Sequence, residues 1–314
     1  MPREHAQNNR VFHNAHTPFP EPARLALMMN RTCTVANHSI APNQPLAIIA
    51  GPCTLESLEL GLVVGKHCKA VCDSLNLPYI FKASFDKANR SSISSKRGIG
   101  IEQGLEHLAA IKQELGVPIT TDIHAPEQAD AIAAVVDLIQ IPAFLCRQTD
   151  LVVASAQACK AHNRALNIKK GQFLSPTEMI GPIRKATEAG CENLMLTERG
   201  TFFGYHRLVN DFIGIADMME LDCSAFTDQG SPPVCFDVTH STQLPGSGEQ
   251  TGGRPDRALQ LAKAATAIGV HALFVECHPN PKEAWSDGAT QLGFEDFEQT
   301  VAQSASIHQS TMLS

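Results

Sequence analysis

The stretch LAIIAGPCTLESLELGLVVGKHCKAVCDSLNLPYIFKAS, residues 46–84, decides the fold. It begins and ends with short apolar runs of the kind that form buried strands, LAIIAG and PYIFKAS. Between these runs, apolar residues follow one another at steps of three and four: Leu60, Val64, Cys68, Val71 and Leu75. Side chains at that spacing lie on one face of an α-helix. A helix between two buried strands allows the strands to lie parallel, so the stretch predicts a strand-helix-strand unit.

The same alternation of strand and helix recurs along the chain. We find eight apolar runs of β type, in the order LAIIAG, PYIFKAS, PITTDIH, LIQIPAF, LNIKKGQ, NLMLTERG, VCFDVTH and ALFVECH. Eight strand-helix units in roughly 250 residues match the size of a closed (β/α)8 TIM barrel. An open doubly wound sheet is the alternative, but it more often has about five to seven strands, and no glycine fingerprint follows the first run. We therefore predict an α/β protein with a (β/α)8 TIM barrel.

The N-terminal part of the chain differs from this repeat. Residues 1–30 are rich in Pro, Asn, His and Arg and show weak periodicity. Such a segment cannot bury much surface, so we expect a flexible N-terminal arm. In residues 31–50, the runs TCTVANHSI and PLAIIAG flank Ala-Pro-Asn-Gln at 41–44, which is typical of a turn. We expect an N-terminal β-hairpin that leads into the barrel, and a single catalytic domain over 31–314.

Composition excludes several classes of function. The 314 residues are 43% hydrophobic, which is enough for a buried core, and they carry a net charge of −7 with a pI near 6.0. A negative field does not hold nucleic acid or an anionic membrane surface, so any anion site must be local. No stretch approaches the roughly 20 apolar residues of a membrane helix, and we see no apolar signal segment, so we expect a cytoplasmic protein.

Cysteine usage agrees with that location. The ten cysteines have irregular spacing, form no CxxC pair, and many lie inside apolar runs such as VCFDV and FVECH. This pattern is typical of reduced, buried thiols, and we expect no disulfide framework.

Polar residues recur at one end of the predicted strands. Each lies at the C-terminal end of its run, which is where barrel enzymes assemble their sites. These residues are Cys53, Lys82, Asp122, His124, Gln140, Lys169, Arg199, His240 and Glu276. We therefore expect their side chains to face one mouth of the barrel.

Cations are concentrated at the same mouth. The segment KASFDKANRSS (82–92) and the ends of two later strands supply five of them: Lys82, Lys87, Arg90, Lys169 and Arg199. Five cations among hydroxyl and amide donors suit two phosphates, or a phosphate and a carboxylate. A solvated charged loop would explain 82–92 alone, but cations on separate strands favour an anion site.

A second set of side chains suits a metal. Cys53, His240, Glu276 and Asp287 offer a thiolate, an imidazole and two carboxylates, which together suit Zn(II), Fe(II), Mn(II) or Co(II). Taken singly, such residues are more often a buried cysteine or a hydrogen-bonded core histidine. His278, two residues after Glu276, is a competing ligand that the spacing does not exclude.

Several long motifs occur in order within residues 31–306. They are GPC at 51–53, FKASFDKANRSS at 81–92, TDIH at 121–124, IQIPAFLCRQTDL at 139–151, NIKKGQF at 167–173, LTERGTFFGY at 196–205, FDVTHSTQLPG at 236–246 and FVECHPNP at 274–281. Through them the chain resembles the 3-deoxy-D-manno-octulosonate-8-phosphate synthase family, also called the 2-dehydro-3-deoxyphosphooctonate aldolases. The resemblance implies a barrel enzyme that condenses phosphoenolpyruvate with D-arabinose 5-phosphate and water. The products are 3-deoxy-D-manno-octulosonate 8-phosphate and phosphate, in the Kdo branch of lipopolysaccharide biosynthesis, and family members are commonly homotetramers.

The resemblance also implies roles for individual residues. It implies contacts to phosphoenolpyruvate from Lys82, Lys87, Gln140, Lys169, Arg199 and His240, and contacts to the sugar phosphate from Asn89, Arg90 and Ser91. It implies a metal-dependent branch, because that branch has Cys where Cys53 stands and the metal-free branch has Asn. The implied metal ligands are Cys53, His240, Glu276 and Asp287. We assign catalytic roles to Lys82, Lys87, Asp122, His124 and His240.

Parts of the chain depart from the family pattern. Arg207 and Ile213 stand where the family has Asn and Arg. The segment 221–233 makes the interval between Arg199 and His240 longer than in the family, and the loop 251–258 lacks the aromatic residue that the family usually has. We place these changes on the sugar side of the site. KANRSS at 87–92 favours the eight-carbon product over the related seven-carbon acid. The alternatives are another aldehyde acceptor such as erythrose 4-phosphate, a Schiff-base aldolase that uses Lys82 or Lys169, or a catalytically silent barrel that binds a phosphorylated ligand.

Overall fold

A computed structural model describes residues 31–88, 96–246 and 252–312. Its strands are β1 (Cys33–Val35), β2 (His38–Ile40), β3 (Ala47–Gly51), β4 (Tyr79–Lys82), β5 (Ile119–Asp122), β6 (Leu138–Ile141), β7 (Ala165–Lys169), β8 (Leu194–Glu198), β9 (Val234–Asp237), β10 (Gln243–Leu244), β11 (Gly252–Gly253) and β12 (Ala272–Glu276). Eight of these strands are parallel and form a closed barrel in the order β12-β3-β4-β5-β6-β7-β8-β9. Strand β12 pairs with both β3 and β9, which closes the ring.

Helices surround the barrel. Those in the described ranges are α1 (Leu58–Ser74), α2 (Ile101–Leu115), α3 (Ala129–Val135), α4 (Thr149–His162), α5 (Ile180–Glu188), α6 (Phe212–Met219), α7 (Ala258–Ile268) and α8 (Phe294–Met312). Helix α1 is the one predicted from the apolar steps after residue 58. Its N-terminus is capped by Ser57, whose hydroxyl oxygen accepts a hydrogen bond from the N–H of Leu60 at 3.1 Å. The predicted (β/α)8 TIM barrel is confirmed.

The N-terminal hairpin is present, but its turn is not where we expected it. Strands β1 and β2 pair antiparallel across the two residues Ala36 and Asn37, with Cys33 opposite Ile40. PLAIIAG takes no part in this hairpin, because both edges of β3 are occupied by β4 and β12. The predicted turn at 41–44 is present, since the N–H of Gln44 donates to the carbonyl of Ala41 at 3.3 Å, but it connects the hairpin to the barrel and is not the turn of the hairpin.

The hairpin closes the N-terminal end of the barrel. Its inward side chains share one buried cluster with barrel residues, several of which are the first residues of their strands: Cys33, Val35, Ile40, Ala47, Ile49, Ile80, Leu138, Ala165, Met195, Cys235, Ala272 and Phe274. Asn193, which precedes β8, fixes the hairpin in place. Its Nδ2 donates to the carbonyl of Thr34 at 2.8 Å, and its Oδ1 accepts from the N–H of Thr34 at 2.7 Å.

The longer segment 221–233 also lies at this closed end. It runs from the end of α6 to the start of β9, and the N–H of Arg31 donates to the carbonyl of Ser231 at 2.8 Å. The hydroxyl of Ser231 donates to the carbonyl of Met218 at 2.9 Å. Our expectation that this segment borders the sugar side was wrong, because it precedes a strand whose opposite end faces the mouth.

Two further observations concern the chain as a whole. No helix of the described residues is both long and apolar enough to cross a membrane. The ten cysteines are buried and carry free thiols. The predicted arm, residues 1–30, lies outside the described residues, so the arm and the single domain over 31–314 stay predictions.

Candidate active site

A cavity of about 830 Å³ opens at the C-terminal ends of the barrel strands. Ten of the predicted site residues line it: Lys82, Lys87, Asp122, His124, Gln140, Lys169, Arg199, His240, Glu276 and Asp287. Lys282, which the sequence did not single out, lies at the same cavity. Among the described lining residues, five Lys and Arg side chains face three carboxylates, an excess of two positive charges in a chain of net charge −7. This local excess of positive charge favours the binding of anions at the mouth.

Cys53, Glu276 and Asp287 form a compact group of potential metal ligands. One ligand atom from each lies within 4.8 Å of the others. Cys53 follows β3, and Glu276 ends β12, whose register pairs it with Gly51, so neighbouring strands bring the first two together. Asp287 comes from the loop after β12, and its Oδ2 accepts a hydrogen bond from the Cys53 thiol at 3.2 Å.

Burial and neighbouring charges shift the pKa values of this group in opposite directions, upward for the thiol and downward for the two carboxylates. Burial raises the pKa of the Cys53 thiol well above its usual range, and the nearby Glu276 carboxylate adds to the effect. Burial alone would raise the pKa of Asp287, but His240 and Lys87 outweigh it and bring the pKa to about 2. Glu276 Oε2 is buried and has no hydrogen-bond partner among the described residues. A thiol and two carboxylates, one of which has an unsatisfied oxygen, form a donor set that a divalent transition metal would satisfy.

The two candidate histidines point to different places. His240 Nε2 lies 3.8 Å from Oε2 of Glu276, beside the group of potential ligands. His278 Nε2 instead lies 3.8 Å from Oε1 of Glu56, and its Nδ1 accepts from the N–H of Asn280 at 3.0 Å. The geometry therefore favours His240 over His278 as the fourth ligand.

Lys82 lines the cavity and also contacts two of the potential metal ligands. Its Nζ lies 2.5 Å from Oε1 of Glu276 and donates to the carbonyl of Cys53 at 3.0 Å. Both members of the ion pair are buried, with side chains 1% and 0% exposed. The lysine therefore fixes one carboxylate oxygen of Glu276 and leaves the other free.

Asp122 is the centre of a buried hydrogen-bond network. It accepts from the hydroxyl of Ser84 and from Nε2 of Gln140. Lys87 Nζ donates to Ser84 Oγ at 2.9 Å, and Asn167 Nδ2 donates to Gln140 Oε1 at 3.2 Å. Burial would raise the pKa of Asp122, but Lys87 and other cations hold it well below its usual range. Asp122 is thus an ionised anchor for Lys87 and Gln140.

Asp237 organises a second part of the cavity. Its Oδ2 lies 2.6 Å from Nζ of Lys169 and 2.8 Å from Nδ1 of His240, while its Oδ1 accepts from the N–H of His240 at 2.9 Å. The Lys169 ammonium lies 3.5 Å from the ring centroid of Phe274, a cation–π contact. Asp237 therefore sets the orientation of both neighbours and leaves Nε2 of His240 toward the cavity.

Arg199 offers an unsatisfied cation to the cavity. Its Nη2 donates to Oε1 of Gln243 at 2.5 Å, whereas Nη1 is buried without a partner among the described residues. Burial lowers the pKa of this guanidinium, yet arginine stays charged. Glu198 fixes the backbone here, since it accepts from the N–H groups of Arg199 (2.8 Å) and Gly200 (2.6 Å) and pairs with Lys170 at 3.2 Å.

The remaining predicted residues are His124 and the sugar-phosphate contacts. Burial lowers the pKa of His124, which favours a neutral ring, and its Nδ1 has no partner in the described part of the chain. Asn89, Arg90 and Ser91 lie outside the described residues. Lys96 is the first described residue after that gap, and its Nζ lies 4.3 Å from the ring centroid of Trp285, which lines the cavity and is the single tryptophan of the chain.

Sequence reasoning missed Asp237, Ser84, Asn167 and Gln243. Asp237 and Gln243 lie within the motif FDVTHSTQLPG, and Ser84 lies within FKASFDKANRSS, so the motifs were a signal. Their roles depend on which neighbours the barrel brings within hydrogen-bond distance, which the motifs alone do not reveal.

Comparisons with known proteins bear on this site. The sequence model of the DAHP synthetase I family matches residues 29–311. A protein of Synechococcus sp. named 2-dehydro-3-deoxyphosphooctonate aldolase is 47% identical over 264 residues, covering 84% of this chain and 88% of the relative. Proteins with the same name from Dechloromonas aromatica (48% identical, 83% of this chain and 90% of the relative) and Protochlamydia amoebophila (44%, 89% and 97%) are similar.

These matches confirm the resemblance inferred from the motifs. They extend over the whole barrel and include every strand that contributes to the cavity. The chain belongs to the DAHP synthetase I family and, within it, to the group of the 2-dehydro-3-deoxyphosphooctonate aldolases.

Proposed function

We propose that this protein condenses phosphoenolpyruvate with D-arabinose 5-phosphate and water to give 3-deoxy-D-manno-octulosonate 8-phosphate and phosphate, in Kdo biosynthesis. One observation carries the proposal. The unsatisfied guanidinium of Arg199 lies in the same cavity as Lys82, Lys87 and Lys169, beside the thiol and carboxylates at the mouth. The family relationship supports the same reaction, because the relatives carry the name of an aldolase of this product.

Phosphoenolpyruvate binds at the buried cations. It carries a phosphate and a carboxylate, and Arg199 with Lys169 supplies fixed donors from neighbouring loops and strands. Lys82 and Lys87 lie across the cavity, and Gln140 is held between Asp122 and Asn167, so its orientation is defined before the substrate arrives. Pre-oriented donors reduce the entropy cost of holding two anions together.

The bond changes follow from the enol already present in the substrate. The methylene carbon forms a bond to the aldehyde carbon, whose oxygen gains a proton. Water adds to the carbon that bears the phosphate and loses one proton, which balances the proton gained by the aldehyde oxygen. The bond between that carbon and the phosphate oxygen then breaks with its electrons on phosphate, while the new hydroxyl gives its proton to the departing phosphate and becomes the ketone oxygen. No lysine Schiff base is needed, and the Nζ atoms of Lys82 and Lys169 are already engaged by the carboxylates of Glu276 and Asp237.

His124 is suited to the proton transfers of water. Burial favours the neutral ring, His124 lines the cavity, and its buried Nδ1 has no partner among the described residues, so the ring has a nitrogen that can accept the proton that the attacking water loses. Asp122, kept ionised by Lys87, is a poor proton donor and holds the surrounding side chains in place.

A divalent metal belongs to the proposal. Cys53, His240, Glu276 and Asp287 would hold it, and the donor set suits Zn(II), Fe(II), Mn(II) or Co(II). When bound, such an ion supplies a Lewis acid that orients the aldehyde or polarises a nearby water. Asp237 holds His240 by Nδ1 and thereby leaves Nε2 available as the ligand atom.

The sugar phosphate is proposed to bind at Asn89, Arg90 and Ser91. These residues follow Ala88, which lines the cavity on the side of Lys87. Lys282 extends the positive lining toward the rim and is suited to attract the distal phosphate.

The test is phosphate release from phosphoenolpyruvate. Arabinose 5-phosphate and erythrose 4-phosphate are offered in parallel, before and after chelation, and with Mn(II) or Zn(II) restored. We expect turnover of the five-carbon sugar that is lost on chelation and regained with metal. Turnover of erythrose 4-phosphate alone would move the assignment to another acceptor, and no turnover of either sugar would favour a silent barrel.

We also propose a homotetramer in the cytoplasm. Phe144 and Phe173 are 48% and 44% exposed beside the mouth, and a neighbouring subunit would cover such aromatic surface. Ten free thiols fit a reducing compartment. The mass of the wild-type protein in solution, compared with that of Phe173→Ser, tests the assembly.

A further inference from the structure

A second cavity lies beside the catalytic one. Its volume is about 670 Å³, and its described walls come from the segments 203–212, 241–244 and 254–261. None of the residues proposed to contact phosphoenolpyruvate or metal lines it within the described ranges. Gln243 lines both cavities and is the wall between them.

The second cavity is cationic. Arg207, Arg254 and Arg257 line it, and its described lining contains no carboxylate. Asp256, just outside, contacts Nε and Nη2 of Arg254 at 2.9 Å each and Nε of Arg257 at 3.2 Å. One carboxylate is therefore shared by two guanidinium groups, and Arg207 has no ion pair in the described part of the chain. An excess of two positive charges faces a cavity in a negatively charged protein.

Two buried polar atoms at this cavity lack partners. The side chain of Ser241 is 3% exposed, and its hydroxyl has no hydrogen-bond partner among the described residues. Oδ1 of Asn210 is likewise unpartnered, although Nδ2 of the same amide donates to the carbonyl of Ser241 at 3.3 Å. Buried polar atoms are normally satisfied, so these two indicate a ligand with both an acceptor and a hydroxyl donor.

Aromatic rings form the outer rim. Phe203 and Tyr205 are 97% and 93% exposed and both line this cavity. Fully exposed rings next to arginines offer a stacking surface for a planar group attached to an anion.

We propose that this cavity binds a nucleotide as an effector of the enzyme. Arg207, Arg254 and Arg257 hold the phosphate, Ser241 and Asn210 bind sugar hydroxyls and phosphate oxygens, and the exposed rings stack on the base. The effect reaches the catalytic cavity through Gln243, whose Oε1 accepts from Arg199 Nη2 at 2.5 Å and whose Nε2 donates to Asp287 Oδ1 at 3.3 Å. Coupling between two binding sites is reciprocal. The nucleotide and phosphoenolpyruvate must therefore change each other's affinity for the protein by the same factor.

Binding is tested by calorimetry with CMP, UMP, AMP and GMP as probes. The protein is first saturated with phosphoenolpyruvate, without a sugar, so that the catalytic cavity is blocked and no turnover occurs. We expect one site per chain for at least one probe, and roughly tenfold or greater loss of affinity in the double variant Arg254→Gln, Arg257→Gln. Lys263→Gln, which removes an exposed cation of α7 outside both cavities, should bind as the wild type does.

Three outcomes would overturn the proposal. These are no binding of any nucleotide, equal affinity in the double variant, or complete displacement of the nucleotide by phosphoenolpyruvate. A double variant that changes the oligomeric state and binds no less nucleotide would mean that a second copy of the chain covers this surface. The coupling has its own test, because the effect of the nucleotide on the Kd for phosphoenolpyruvate should disappear in Gln243→Ala. Since these readouts need no turnover, failure of the proposed reaction would be seen separately.

Discussion

Lys82 Nζ lies 2.5 Å from Oε1 of Glu276, and neither side chain is more than 1% exposed. An ion pair of this kind costs much desolvation free energy when it forms and more when one partner is removed. The pair therefore has a structural role as well as its place in the proposed site.

Removal of either partner should lower stability. We expect Lys82→Met to reduce the free energy of unfolding by about 3–5 kcal/mol, because it leaves the Glu276 carboxylate buried and unpaired. The double variant Lys82→Met, Glu276→Gln should lose less than the sum of the single losses. Urea unfolding of metal-free protein measures all three, and additive losses would show that the pair is not coupled.

Asp237→Asn should reduce activity and also lower the free energy of unfolding, because it leaves the buried Lys169 ammonium without its carboxylate. The substitution removes the charge that holds Lys169 and fixes the tautomer of His240. Loss of such an orienting carboxylate typically lowers metal affinity or activity about 10- to 100-fold. Steady-state phosphate release with both substrates, together with bound metal, is the measurement. Asp228→Asn, an exposed carboxylate in the segment at the closed end, is the control and should behave as the wild type.

Cys53→Ala should lose bound metal. The thiol is one of three ligand atoms within 4.8 Å, and no other cysteine belongs to this group among the described residues. Metal content per chain after dialysis, determined by mass spectrometry, should fall well below that of the wild type. Cys223→Ala, which removes a buried thiol at the closed end, should retain the metal. Equal metal content in both variants would exclude Cys53 as a ligand.

Acid should destabilise the fold through His271. Burial lowers its pKa from 6.5 to about 4, and its Nδ1 accepts from the N–H of Val234 at 2.9 Å. Because the folded state binds the proton less well than the unfolded state, this contribution to stability is complete above pH 6.5 and is lost as the pH falls toward 4. Between pH 7 and pH 5 the loss is about 2 kcal/mol.

The variant His271→Asn isolates that contribution. Asn Oδ1 can accept the same hydrogen bond but does not titrate. Its free energy of unfolding should therefore fall less between pH 7 and pH 5 than that of the wild type. If the free energy of unfolding of the two proteins fell equally between pH 7 and pH 5, the protonation of His271 would not differ between the folded and unfolded states.

The barrel could be predicted because each strand is signalled by its own residues. Strand β3 is buried along its length, so AIIAG is apolar throughout, and α1 repeats its apolar residues at helical steps. The hairpin turn could not be placed, because Ala36-Asn37 and the segment 41–44 both permit a turn. The segment 41–44 is not the turn of the hairpin because the strand after it, β3, pairs with β4 and β12 and not with β2.

For the site, the sequence predicted which polar and charged residues lie at the C-terminal ends of the strands, but not how they contact one another. Spacing could not choose between His240 and His278, because both follow barrel strands at similar distances. The choice depends on Asp237, which holds His240 beside Glu276, and on Glu56, which faces His278. The orienting residues were missed for the same reason, since their partners come from other strands.

The hairpin beneath the barrel has a consequence for kinetics. With that end closed, both substrates and both products pass through a single opening. Two of the cations proposed to hold phosphoenolpyruvate, Lys82 and Lys169, are the last residues of their strands, whereas the proposed sugar contacts at 89–91 come later in the sequence than the end of β4. A bound sugar phosphate would therefore block the path behind it, and the enzyme should follow a compulsory order in which phosphoenolpyruvate enters first.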